Sequence, residues 1–269
     1  MKVLIIGANG YLGARLFEDL SQQFDVIGTY HQQKFRKELL ALDVTNAEQV
    51  LSLCQQVQPD IIIQTANHSS PRPAEDDKTG YVHTNYTSTQ NIVEAANLVG
   101  AKVIFISSFA AIEPDNIYGE LKAKSEDKVE ETQAGYLILR PSLILGKSPN
   151  TENDRPFNRI LKLIGTDSVG EFDTSWKFQP TYIGHISQVI IAAIKQQVWN
   201  KTVHVFCSTL TTRFEVARDI LQPFEVQVRP IDKMENMKTQ EKDERELVVL
   251  GLPTCSYQQM LGRIHQEIQ

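Results

Sequence analysis

Short apolar runs alternate with stretches in which apolar residues recur every three or four positions, and this alternation fills the first half of the chain. The runs predict strands at 2–6, 25–30, 39–42, 60–65, 102–107 and 136–140. Residues Val3, Leu4, Ile5 and Ile6 are apolar without a break, the pattern of a strand buried on both faces. Between the strands, helical spacing predicts helices at 11–23, 47–57, 81–99 and 118–132, the first carrying Leu12, Leu16, Phe17 and Leu20 on one side. Strands alternating with helices in this way specify an α/β fold, a doubly wound parallel sheet with right-handed crossovers. Ligands of such sheets bind at the carboxyl ends of the strands, where the winding order reverses.

After Pro141 the rhythm changes. Residues 146–156 are polar and contain two prolines, which predicts a loop. A helix from about 185 to 198, a strand at 203–206 and a helix at 213–221 follow. Residues 232–246 are dense in charges of both signs, the composition of a solvated face. These interleaved pieces predict a main domain of residues 1–145 plus about 181–206. A small lobe of about 146–180 and 207–269 would close over the sheet's carboxyl edge.

The 269 residues suffice for one α/β domain with a small appendage, and 41% hydrophobic with 22% charged residues is ordinary globular composition. A net charge of −6 argues against a general nucleic-acid surface. Cys54, Cys207 and Cys255 are far apart and lack metal-ligand spacing, which predicts reduced structural thiols; the six histidines form no metal cluster either. The apolar start is broken by Gly7 and Arg15 too early for a signal peptide, and no run reaches the length of a membrane span. A cytoplasmic protein that binds neither metal, membrane nor nucleic acid is the expectation.

The first strand runs into Gly7-Ala-Asn9-Gly10-Tyr11-Leu12-Gly13. Gly7 would let the chain turn sharply, Gly10 would leave room for a pyrophosphate, and Gly13 would let the next helix pack close, its N-terminal amides facing the phosphates. The plainer alternative is a tight strand–helix turn without a ligand. The G-x-x-G-x-x-G spacing resembles the extended branch of the short-chain dehydrogenase/reductase superfamily, which holds nucleotide-sugar epimerases, dehydratases and dTDP-4-dehydrorhamnose reductases. That resemblance implies a Rossmann-type NAD(P)-binding domain with a small C-terminal substrate lobe. It also implies dinucleotide contacts from Gly7, Asn9, Gly10, Tyr11, Leu12 and Gly13.

The second strand ends Thr29-Tyr30-His31 without the carboxylate that an NAD-preferring protein places against the ribose, and Lys34, Arg36 and Lys37 follow. We therefore expect Tyr30, His31 and Lys34 beside the ribose and NADP in preference to NAD, with NAD possible; the alternative is a solvated basic loop. The resemblance assigns Asp43 and Val44 to the adenine, although Asp43, Thr45 and Asn46 compete as caps of the next helix. It assigns Thr65, Ala66 and Asn67 to a turn beside the cofactor, and Asn85 to a water or helix bend near the chemistry.

Ketone reduction by a nicotinamide needs a proton donor near the carbonyl oxygen and a cation to tune that donor. Tyr118 and Lys122 lie four residues apart at the start of a helix, so the ammonium can lie near the phenol and lower its pKa. An exposed helix pair is the alternative. Both residues would also touch the cofactor. In the family a hydroxyl at the end of the preceding strand binds the substrate carbonyl, which selects Ser108 over Ser107. Leu139-Arg140-Pro141 resembles the step that sets Pro141 beside the nicotinamide, and 179–183 resembles a later segment at the substrate edge.

The chain also departs from the family. Only nine residues separate Ser108 from Tyr118, Ser-Ser-Phe replaces the usual Ser-Thr-Asp, and His185 stands where relatives often have an acid. Glu113 and Asp115 are candidate acids or solvated turn residues. Phe157, Trp176, Phe178 and Tyr182 could line a pocket or fill the core, and Arg155 and Arg159 could grip a diphosphate or face solvent. The expectation is an NADP-dependent oxidoreductase reducing a keto group of a sugar nucleotide or related carbonyl compound. The alternatives are an epimerase with tightly held cofactor and a non-catalytic dinucleotide-binding sensor. A homodimer through the helices at 81–99 and 118–132 is possible by the same resemblance.

Overall fold

A computed structural model of the chain describes residues 1–32, 36–68, 77–152, 154–235 and 241–269. Six strands, β1 (Lys2–Ile6), β2 (Asp25–Tyr30), β3 (Leu40–Ala41), β4 (Ile61–Gln64), β5 (Lys102–Ile106) and β6 (Tyr136–Pro141), join Lys201–Val205 in one sheet. The order is Lys201–Val205, β6, β5, β4, β1, β2, β3, and every pairing is parallel. The winding reverses between β1 and β4, so a crevice opens at their carboxyl ends, where Gly7 and Thr65 stand.

The alternating directions of strand side chains explain the unbroken apolar run at the start. Val3 and Ile5 join a core with Leu12 and Leu16 of the Tyr11–Ser21 helix and with Ile186 and Ile190 of the Ile183–Gln196 helix. Leu4 and Ile6 join the opposite core, with Val50 and Leu53 of the Ala47–Val57 helix and Ile92 of the Ser88–Val99 helix. Both faces are covered by helices, as the doubly wound expectation requires.

Three elements differ from the sequence reading. The third strand shrinks to Leu40–Ala41, two exposed residues at the sheet edge. The helix expected over 81–99 is three pieces: Lys78–Val82, a π-helical His83–Thr87, and Ser88–Val99. Such wide turns mark places where a side chain must be re-aimed, and Asn85 lies inside this one. A C-terminal helix, Tyr257–Ile268, was not expected at all. Ser256 and Gln259 form a capping box at its start, and Tyr257, Met260, Leu261 and Ile264 bury its apolar face.

Beyond β6 the short strands pair across the later chain. Ile144–Leu145 runs parallel to Thr181–Tyr182, Gly170–Asp173 parallel to Val228–Ile231, and Lys177–Phe178 antiparallel to Thr211–Thr212. The C-terminal helix returns to the first helix through Glu267. Its carboxylate accepts from Arg15 (2.7 Å), from the Tyr182 hydroxyl (2.6 Å) and from the Lys147 amide (3.1 Å). Among the described residues no helix is long and apolar enough to cross a membrane.

Candidate active site

The glycine turn is shaped by near-collisions. Gly7 has φ +93°, in the left-handed region, and a Cβ there would stand 2.7 Å from the Ala66 amide nitrogen. A Cβ on Gly13 would stand 2.1 Å from the Gly7 carbonyl oxygen and 2.8 Å from Thr65 Oγ1. Thr65 donates its hydroxyl to the carbonyls of Ile6 (3.0 Å) and Gly7 (3.1 Å), and the Gly7 amide donates to Thr29 Oγ1 (3.1 Å). A Cβ on Gly10 would meet only the Gly7 oxygen, at 3.3 Å, so its other side is open. Gly10 caps the first helix without any side-chain acceptor, which leaves the first-turn amides to an anion.

Tyr11 and Leu12 are buried, so a ligand at this turn meets their backbone and not their side chains. The Tyr11 hydroxyl donates to the Gly146 carbonyl (2.5 Å), Ser148 Oγ donates to the Tyr11 carbonyl (2.7 Å), and Asn150 Nδ2 donates to the Asn9 carbonyl (2.7 Å). Burial pushes the Tyr11 phenol far above its ordinary range. Residues 146–150 thus form a strap holding the glycine turn.

At the ends of β2 and β3, Asp43 Oδ1 accepts from the Thr45 amide (2.9 Å) and hydroxyl (2.7 Å), and the hydroxyl bond holds its carboxyl below the ordinary range. Asn46 caps the Ala47–Val57 helix, accepting from the Gln49 amide (3.0 Å), so Asp43 is not spent on that task. Val44 is buried, its carbonyl accepting from Asn91 Nδ2 (3.1 Å). Tyr30 is half-buried and His31 exposed, while Lys34 lies outside the described residues. Of the two other basic residues, Arg36 pairs with Glu18 (3.5 Å) and Glu38 (3.8 Å), and Lys37 is exposed.

The chemical residues converge where β4 and β5 end. Ser107 is buried and donates to the Glu126 carboxylate, whereas half-buried Ser108 hydrogen-bonds the Tyr118 phenol and accepts from the Ala110 amide (3.2 Å). Asn67 Nδ2 donates to Tyr118 Oη at a long 3.4 Å. Lys122, on the Ile117–Val129 helix with Tyr118, donates Nζ to the Ile106 carbonyl (2.8 Å) and lies 5.8 Å from the centre of the Tyr118 ring. Asn85 supports this corner from behind. Its carbonyl accepts from Ser125 Oγ (3.0 Å) and its Oδ1 from the His68 amide (3.0 Å), while Nδ2 is buried without a partner among the described residues. Pro141 closes β6 opposite Val205.

One expectation is corrected here. The phenol of Tyr118 is raised, not lowered: burial outweighs the opposing contributions of Ser108, Arg155 and Asn67. Burial also pulls the Lys122 ammonium down to about 7 against the supporting charge of Glu126, and its proton is committed to a carbonyl.

The remaining candidates divide. Arg155 acts electrostatically on both Tyr11 and Tyr118, whereas exposed Arg159 pairs with Asp154 (2.6 Å). Phe157, Phe178 and Tyr182 are core residues, and Trp176 stacks on Phe178 with ring centres 4.5 Å apart. His185 is buried with Nε2 on the Pro253 carbonyl (2.7 Å), and burial lowers its pKa, so it does not face the substrate edge. Gln179 ties its segment to the chain at Ser208 (3.0 Å) and Lys242 (2.8 Å). Glu113 and Asp115 are exposed.

Sequence reasoning missed two features. Phe109, next to Ser108, packs edge-on against Phe206 at 6.3 Å and makes an apolar wall. Glu126 is buried in a bidentate pair with Arg140 (Nε–Oε1 2.9 Å, Nη2–Oε2 2.5 Å). Its signal was available, since it lies one further turn beyond Lys122 on the same helix.

A family model described as RmlD substrate binding domain matches residues 1–246. The dTDP-4-dehydrorhamnose reductase of Escherichia coli K12 is 31% identical over 166 residues, which is 56% of this chain and 54% of that protein. This match therefore spans about half the length of the reductase. The methionine adenosyltransferase 2 subunit beta of Rattus norvegicus is 22% identical over 251 residues, 86% of this chain and 75% of that protein. Among solved structures, the dTDP-4-dehydrorhamnose reductase of Bacillus anthracis Ames in complex with NADP superposes with a TM-score of 0.82 at 27% identity, covering 100% of this chain and 99% of that one.

Proposed function

This chain belongs to the RmlD substrate binding domain family, and we propose that it is a cytoplasmic, NADP-dependent reductase of a keto group on a sugar nucleotide. The observation that carries this reading is the meeting of Tyr118, Ser108 and Asn67 at the carboxyl ends of β4 and β5, with Lys122 one helical turn away. The glycine turn fits a dinucleotide, because Gly10 offers an open side and an uncapped helix start where a diphosphate needs both. NADPH, held by the backbone at 7–13, by Asp43 and Val44, by 65–67 and beside Pro141, would supply the hydride.

The chain's own groups account for the proton. A phenol raised by burial stays protonated at neutral pH, which suits a donor to the oxygen of a carbonyl being reduced. Ser108 would hold that oxygen by donating its hydroxyl. Lys122 would hold the ribose, and the buried Nδ2 of Asn85 would orient the relay behind it. In this reading half-buried Phe109, backed by buried Phe206, walls the sugar side with apolar surface.

The test is NADPH consumption with dTDP-4-dehydrorhamnose and with other nucleotide keto sugars. Turnover is expected, with a lower Michaelis constant for NADPH than for NADH; tight NADPH binding with none of these substrates reduced would overturn the reading. A second reading is a dinucleotide-binding protein without turnover, and the long match to a protein named as a subunit of a larger enzyme favours a subunit role for it. It predicts that outcome, with Tyr118→Phe leaving every property unchanged. A homodimer through the Ser88–Val99 and Ile117–Val129 helices belongs to the proposal too. Sedimentation over a range of protein concentrations would read that dimer directly.

A further inference from the structure

The Glu126 carboxylate lies beside the chemistry, and no step described so far uses it. It is 5% exposed, and a buried carboxylate is retained only where donors compensate its desolvation. Arg140 supplies two from the neighbouring strand and Ser107 a third. These contacts join others nearby. Lys122 grips the carbonyl of Ile106 and Glu126 grips the hydroxyl of Ser107, so two side chains one turn apart on one helix hold consecutive residues of one strand end. Ser108 is the next residue. The distance between the helix bearing Tyr118 and the strand end bearing Ser108 is therefore set by this double grip.

We propose that Glu126 is a positioning residue, a buried carboxylate that keeps Lys122 both in place and in its ammonium form. The groups facing this corner are Tyr118 and Glu126 on the helix itself, Arg140 on β6, Phe105 and the Ile106 carbonyl on β5, Arg155 acting on Tyr118, and Tyr81, on which Tyr118 acts in turn. Of these, Glu126 favours the charge on Lys122. Arg140 opposes Glu126 by neutralising it. A clamp with a merely structural task would work as well with apolar side chains of the same volume. The signs of these charges make the inference separable from such a clamp.

The inference takes Lys122 as the lysine of the proposed reaction, and its test begins without the cofactor. The full chain is labelled at lysine Nζ with ¹⁵N, and Lys122 is titrated by NMR in the unliganded protein, assigned by its absence in Lys122→Met. Glu126→Gln is expected to move the Lys122 titration down by about one pH unit, and Arg140→Met to move it up. The same opposite displacements are expected in the pH at which NADPH affinity falls away. An unmoved titration in folded Glu126→Gln, or displacements of the same sign in both variants, would overturn the inference. Should Glu126→Gln fail to fold, Arg140→Met decides alone: an upward shift supports the inference and no shift overturns it. Opposite titration shifts without any NADPH binding would keep the role of Glu126 and remove the proposed function instead.

Discussion

Two tyrosines, each with a cation at its ring, show how differently this molecule uses one chemistry. Tyr182 lies between the first helix and the C-terminal helix, its hydroxyl donating to Glu267 at 2.6 Å and its ring flanked by Arg15 and Arg263 at 5.9 and 5.8 Å. Tyr118 lies in the crevice, half-buried, with a 3.4 Å contact from Asn67, a bond with Ser108, and Lys122 at 5.8 Å from its ring. Burial raises both phenols, Tyr182 to about 12. What separates them is saturation. The first phenol has a short bond to a carboxylate and can offer nothing to a ligand. The second is held loosely enough to exchange its partner for a substrate oxygen.

Substitution sharpens that contrast most at the crevice. Tyr118→Phe should lower turnover on the order of 10²–10⁴-fold while leaving the NADPH dissociation constant and the urea midpoint unchanged, as steady-state kinetics and denaturation will read. Tyr182→Phe should do the reverse. It leaves the Glu267 carboxylate short of a donor and should cost about 1–3 kcal/mol in urea unfolding, with turnover per folded molecule retained. Loss of turnover in Tyr182→Phe would break the comparison.

Smaller effects follow from pH. The Lys122 ammonium sits at about 7 in the folded chain, below the usual lysine range, so unfolding takes up a proton between pH 7 and about 10. Wild-type stability should therefore rise with pH across that window, and Lys122→Met should remove this group's share of the rise. Asp173 accepts from the Ser175 hydroxyl (2.7 Å) and from the amides of Lys233 (2.9 Å) and Trp176 (3.1 Å), bonds that hold its carboxyl at about 2 despite burial. Its contribution is present above the unfolded value near 4 and disappears as pH falls through 2. Asp173→Asn should remove that part of the acid limb, a difference of about 2 kcal/mol in thermal unfolding between pH 2 and 5.

The sheet was legible because strands buried on both faces leave no polar residue to blur the run, as Val3 to Ile6 illustrates. The glycine turn was legible because its three glycines each stand where another side chain would collide or block. The π turn at Asn85 was not, since Thr84 and Asn85 interrupt the apolar period without saying which way the backbone turns. The C-terminal helix announced itself through Ser256 and Gln259, yet its apolar face makes sense only against a core assembled elsewhere. At the site, Tyr118 and Lys122 could be paired from their spacing on one helix, whereas Ser108 was singled out from Ser107 by the family resemblance alone. The protonation of the pair could not be read there, because it depends on burial and, for Tyr118, on Arg155, which lies far along the chain from that helix.

The bond from Arg15 to Glu267 links positions 252 residues apart. No nascent chain can make it until residue 267 has left the ribosome, so the first helix must wait, partly unsupported, while all the intervening residues are made. A fragment halted before that point would keep its glycine turn but lack the last brace on it. Such fragments should be easy prey for proteases at the 146–150 strap.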